Sequence, residues 1–119
     1  MTHRILIVDD DQDHAESIAD IVALRGHEVA LAGSGEAGIA CFRDGEYDLV
    51  LMDVKMPGMN GVDAFFELRK LRPDARVMMM TGFSVEQLVD TALANGAIGV
   101  LRKPLIIAEL LQTIEPKAA

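Results

Sequence analysis

The chain has no tryptophan, one tyrosine, one cysteine and few basic residues, and each shortage narrows what it can do. A lone cysteine, Cys41, cannot close an internal disulfide, so the fold has to rest on an ordinary core. Cys41 follows Ala37 and Ala40 in a helical pattern and reads as a small core residue rather than a reactive thiol. Lys and Arg number 11 against 19 Asp and Glu, a formal charge of −8. That balance argues against direct binding of nucleic acid, whose affinity rests on neutralising phosphates. No apolar run reaches the ~18 residues that read as a membrane span. Strand pattern begins by residue 4, which leaves no room for a signal peptide, so the cytoplasm is the expected compartment. At 119 residues one domain is expected, with its core over about residues 3–114. A domain of that size buries roughly two-thirds of its unfolded surface. The tail after Ile114 reads either as a true terminus or as the cut end of a longer protein.

What is present is a regular alternation of strand and helix patterns, without repeats or low-complexity segments. Strands are expected at 4–8, 28–32, 48–52, 76–80 and 98–102. The second alternates as an edge strand would; the others are nearly continuous apolar runs, as in a parallel sheet covered on both faces. Helices are expected at 13–25, from Ser34 to Gly45, from Asn60 to about Leu71, from a Ser84–Gln87 capping box to Gly96, and around Ile107 to Ile114. Five strands and five helices in strict alternation predict a doubly wound α/β fold, a flavodoxin-like (βα)5 domain with strand order 2-1-3-4-5.

Four of the strands end in a residue that can do chemistry. Ile5-Leu6-Ile7-Val8 runs into Asp9-Asp10-Asp11, Leu49-Val50-Leu51-Met52 into Asp53, Val77-Met78-Met79-Met80 into Thr81, and Gly99-Val100-Leu101-Arg102 into Lys103-Pro104. Open α/β sheets bind ligands beyond the carboxyl ends of their strands, so these endings converge on one edge. Clustered carboxylates repel: at an effective dielectric of about 20, each pair at 4 Å costs about 4 kcal/mol. Lys103 supplies one positive charge, and a hard divalent cation, Mg2+ for an all-oxygen set, offsets the rest. A carboxylate beside such a cation can attack phosphorus, while an ammonium and a hydroxyl bind the phosphoryl oxygens.

The motifs Ile-Leu-Ile-Val-Asp9-Asp10, Asp48-Leu-Val-Leu-Met-Asp53-Val-Lys-Met-Pro57-Gly58-Met-Asn-Gly61, Met80-Thr81-Gly82 and Lys103-Pro104 together resemble those of response regulator receiver domains of bacterial two-component signalling, of the chemotaxis-regulator kind. The resemblance covers residues 3–114. It implies that Asp53 is the phosphoacceptor, that Asp10 binds the metal directly and Asp9 through water, and that the backbone carbonyl of Lys55 is a further ligand. Thr81 matches the hydroxyl that moves toward the phosphoryl group, Gly82 the small residue that leaves room for it, and Lys103 the ammonium on its oxygens. The Lys103–Pro104 bond is expected to be cis. The implied donor is a histidine kinase or histidine phosphotransfer protein, and the implied recipient a downstream protein or a fused output domain. Such a module accepts and loses a phosphoryl group; it is not a turnover enzyme. One position departs from the family: Val100 stands where a Tyr or Phe is usual.

Competing readings are weaker. Asp9-x-Asp11 after a strand resembles the nucleophile motif of haloacid-dehalogenase-type phosphatases, but Asp13 stands where they carry Thr or Val. An FMN site lacks its hydroxyl-rich first loop and aromatics, and a dinucleotide site lacks G-x-G-x-x-G. Asp11 reads as support for the first helix's N-terminus. His3 and His27 read as solvated and His14, in the first helix turn near the acids, as a non-ligand. Met78-Met79-Met80 reads as core, while Met56 and Met59 flank the active loop, where a partner contact and a packing role stay equally open. Lys55 and Phe83 flank the site where water would enter.

Overall fold

The computed structural model describes residues 2–82 and 86–115. In chain order the elements are β1 (Arg4–Val8), α1 (Gln12–Leu24), β2 (Glu28–Ala32), α2 (Gly35–Asp44), β3 (Leu49–Asp53), α3 (Gly61–Leu71), β4 (Val77–Thr81), α4 (Glu86–Ala94), β5 (Gly99–Arg102) and α5 (Ile107–Ile114). All four strand pairings are parallel, in the order β2-β1-β3-β4-β5. This is the expected doubly wound sheet. Strands β3 and β4 sit one residue later than their apolar runs suggest, because Asp53 and Thr81 still belong to the ladder.

Side chains alternate between the sheet's two faces, as the period of two requires. Leu6, Val8, Val50, Met52, Val77 and Met79 face one core with Phe42 of α2, Phe65 and Leu68 of α3, and Val89 of α4. Ile5, Ile7, Leu49, Leu51 and Met80 face the other with Ile18 and Val22 of α1 and Leu110 and Ile114 of α5. β1 and β3 are buried on both faces, which is why their sequences show no alternation. Each fully buried aliphatic side chain contributes about 1.5–3 kcal/mol before conformational entropy is charged against it. Cys41 packs half-buried against the first core, Met79 and Met80 are fully buried, and β2 is an edge strand, with β5 at the other edge.

The caps follow sequence chemistry. The Asp11 carboxylate accepts from His14 N–H, Ser34 Oγ from Ala37 N–H, and Asn60 Oδ1 from both Val62 and Asp63 N–H. The expected Ser84–Gln87 box falls partly outside the described residues, since Ser84 is not among them. Among the described residues no helix is long and apolar enough to cross a membrane.

One expectation is corrected. His27 is buried, not solvated: its side chain is 1% exposed. Its Nδ1 accepts from His3 N–H at 3.0 Å, and its Nε2 lies 2.6 Å from Glu115 Oε2. Arg25 donates to the other Glu115 oxygen at 2.6 Å, and the His3 ring stacks on His27 with centroids 5.3 Å apart. Satisfying both ring nitrogens removes most of the penalty for burying an imidazole.

Candidate functional site

β1 and β3 are neighbours at the point where the chain reverses direction across the sheet, so their carboxyl ends open onto one crevice. Asp9 follows β1 and Asp53 ends β3; both are buried, at 2% and 4% exposure. Asp10 is exposed at the crevice mouth. One oxygen from each of Asp9, Asp10 and Asp53 lies within 4.8 Å of the others. Lys103, just beyond β5, places Nζ 3.2 Å from Asp53 Oδ2 and 3.4 Å from Asp9 Oδ2. The Lys103 ammonium thus bridges the two buried carboxylates.

Thr81 ends β4 and is 1% exposed; its carbonyl accepts from Lys103 N–H at 2.8 Å, which ties the ends of β4 and β5 together. Gly82 lies against Lys103: a Cβ at this position would sit 3.5 Å from Lys103 Cβ. Lys55 is exposed two residues past Asp53. The Lys103–Pro104 bond is cis, as expected. Phe83 lies outside the described residues. Val100 is half-buried and packs against the first core. Met56 is buried and Met59 half-buried, so both pack inward rather than flag the loop as open surface.

The loop after Asp53 is held by backbone. Pro57-Gly58 turns the chain, with Gly58 at φ +76°. Gly61 N–H then donates to Val54 C=O at 2.7 Å, and a Cβ on Gly61 would overlap the Asp53 carbonyl oxygen. Glycine there allows α3 to start directly behind the carboxylate.

The two buried acids differ in character. Burial pushes Asp53 up to about 6; the Lys103 charge pulls it down and Asp9 pushes it up again. Burial also pushes Asp9 up, but the hydrogen bonds from His14 and Asp11 N–H and the Lys103 charge outweigh it and hold Asp9 below its ordinary value. Lys103 is lowered by burial yet ends up raised, because both carboxylates favour its charged form. Asp9 is fully committed: Oδ1 accepts from Asp11 N–H at 2.9 Å, and Oδ2 faces His14 Nδ1 at 2.6 Å and Lys103 Nζ. Its side chain has no exposed surface, which leaves it unsuited to the nucleophile role of the phosphatase reading. The contact with His14 is a feature that sequence reading places nearby but does not join to the acids.

An acidic, all-oxygen crevice with one bridging ammonium, at the carboxyl edge of a 2-1-3-4-5 sheet, defines a phosphoryl-signalling (βα)5 domain. The profile of the response regulator receiver domain matches residues 5–115, and the chain belongs to that family. A response regulator receiver protein of Anaeromyxobacter sp. is 37% identical over 108 residues, covering 91% of this chain and 45% of that protein. The CheY-like receiver domain protein of Methanospirillum hungatei superposes with a TM-score of 0.91 at 33% identity, covering 97% of this chain and 92% of that one. A CheX–CheY complex with BeF3 and Mg2+ from Borrelia burgdorferi gives a TM-score of 0.86 at 30% identity, covering 93% and 85%. Against first-ranked curated relatives the chain spans between about a quarter and under half of their length. It is therefore a receiver domain of two-component signalling.

Proposed function

We propose that Asp53 accepts a phosphoryl group from the phosphohistidine of a histidine kinase or phosphotransfer protein. A carboxylate oxygen of Asp53 attacks phosphorus; the P–N bond to the donor imidazole breaks as the P–O bond forms, and the imidazole leaves with the electron pair. With Asp53 pushed up to about 6, the carboxyl is still mostly ionised at neutral pH and so remains a nucleophile. Attack of water on the acyl phosphate returns the carboxylate and releases phosphate.

The donor set suits Mg2+: three carboxylates, two of them buried, with the Lys103 ammonium between the buried two. Asp10, Asp53 and the Lys55 carbonyl would hold the ion, with Asp9 acting through its water shell. Bound there, Mg2+ neutralises charge on the transferring oxygens. Lys103 neutralises what remains once the phosphoryl group is on Asp53, and Thr81 on the neighbouring strand offers a hydroxyl to it. Gly82, with no side chain, keeps the approach open. The module then acts on a downstream protein or a fused output domain in the cytoplasm, without catalytic turnover of its own.

The observation that carries this reading is the Lys103 bridge between two buried carboxylates at the edge of β1 and β3. Incubation with Mg2+ and acetyl phosphate, borohydride trapping and mass spectrometry should place the label on Asp53. Label on Asp9, or label that persists in Asp53→Asn, would overturn it.

A further inference from the structure

We propose that His14 is a positioning residue for the carboxylate Asp9, a role that rests on the Mg2+ site of the proposed function. Its ring nitrogen lies 2.6 Å from Asp9 Oδ2, closer than Asp11 N–H at 2.9 Å or Lys103 Nζ at 3.4 Å. Asp9 is an acceptor when ionised, so Nδ1 is the donor. The His14 side chain is 24% exposed and that of Asp9 is 0% exposed, so the pair is made at a carboxylate shielded from water.

The ring is delivered by a closed backbone circuit. Asp11 N–H donates to Asp9 Oδ1, and Asp11 Oδ1 accepts from His14 N–H at 3.1 Å. His14 then returns to Asp9 through Nδ1. With Asp11 on one oxygen and His14 and Lys103 on the other, the carboxylate cannot rotate without breaking a hydrogen bond. Lys103 Nζ also donates to Asp53, and at the shorter distance, so its position answers to both carboxylates. His14 and Asp11 N–H keep Asp9 fixed whichever carboxylate Lys103 serves. Partners of a direct ligand are worth about 10–100-fold in metal affinity; Asp9 acts through water, so fixing it is worth the lower end of that range or less.

Bond count separates positioning from packing. The Nδ2 of asparagine stands as many bonds from Cα as the Nδ1 of histidine; the Nε2 of glutamine stands one further. Wild type, His14→Ala, His14→Asn and His14→Gln are each titrated with Mg2+ alone at pH 8 by calorimetry, with urea unfolding in EDTA as the metal-free readout. The expected pattern is a Kd raised about three- to tenfold in the alanine and glutamine variants and within about twofold of wild type in asparagine. Equal Kd values across the four proteins, whatever their urea midpoints, or an asparagine variant as weak as alanine, would overturn the proposal. Wild type that fails to label at Asp53 yet shows the Kd pattern would sink the phosphoacceptor reading and leave the role of His14 standing.

Discussion

Replacing Asp53 should make the metal-free protein more stable at neutral pH. Asp53 is moved from its ordinary 3.8 to about 6, by burial first and by Asp9 against the pull of Lys103. Its folded value is above its unfolded one, so below pH 3.8 both states are protonated and nothing is lost. Between 3.8 and about 6 the unfolded chain ionises first, and the folded state loses stability as pH rises. Above about 6 the loss is complete and constant. A displacement of that size corresponds to about 3 kcal/mol at most. Water reaching the crevice through its exposed mouth at Asp10 reduces it, so Asp53→Asn should gain about 1–3 kcal/mol at pH 7.5. At pH 4.5 the gain should fall to about a third of that, because only about a third of the interval between the unfolded and folded values has been crossed there. Urea unfolding in EDTA at the two pH values measures both quantities. Added Mg2+ should then narrow the gap, since on the proposed reading wild type would bind the ion with a ligand that the asparagine variant lacks. A variant no more stable than wild type at pH 7.5, or a gain that does not change with pH, would refute the account of Asp53 as a strained buried charge.

Gly61→Ala should cost about 2 kcal/mol or more and weaken Mg2+ binding together, because its Cβ would overlap the Asp53 carbonyl and force the loop to shift; urea unfolding and metal titration check both. Lys103→Met leaves two buried carboxylates without their shared cation, and should destabilise the metal-free protein by about 2–3 kcal/mol, with Mg2+ restoring most of the loss and acetyl phosphate still labelling Asp53. Glu115 is held below its ordinary value by hydrogen bonds from Arg25 and then His27, so the stability it contributes is full above that ordinary value and is lost as pH falls through the depressed one. Glu115→Gln should therefore lower the urea midpoint at pH 7, and the difference should close as the pH is taken down through that range.

The sheet and the acidic edge were legible because each residue involved is placed by its own strand. Ile5 to Val8 and Leu49 to Met52 are short apolar runs, and whatever follows a strand buried on both faces emerges at its carboxyl end. Once the alternation predicts the order 2-1-3-4-5, Asp9, Asp53, Thr81 and Lys103 fall on one edge without knowledge of any long-range contact. The one-residue offsets in β3 and β4 have the same origin. A polar residue ends an apolar pattern, but Asp53 and Thr81 remain in the ladder because their backbone groups still need partners at that depth.

His14 and His27 were not legible, for one reason in two forms. Periodicity reports which face of an element is buried; it does not report which other element covers that face. His27 stands one residue before β2, where no stripe exists to assign it, and its burial is made by His3 and Glu115, 24 and 88 residues away. His14 is five residues from Asp9 and its backbone is capped by Asp11, but helical periodicity does not say that its ring turns back to an oxygen that also takes Lys103, 94 residues beyond Asp9. An imidazole can be solvated, buried neutral or paired with an acid, and these states differ by a few kcal/mol at most. The environment selects among them, and at both positions that environment is built by chain that is distant in sequence. The acids differ because mutual repulsion constrains them in any environment: wherever the strand ends bring Asp9, Asp10 and Asp53 together, something positive has to come as well, and Lys103 is the group already there.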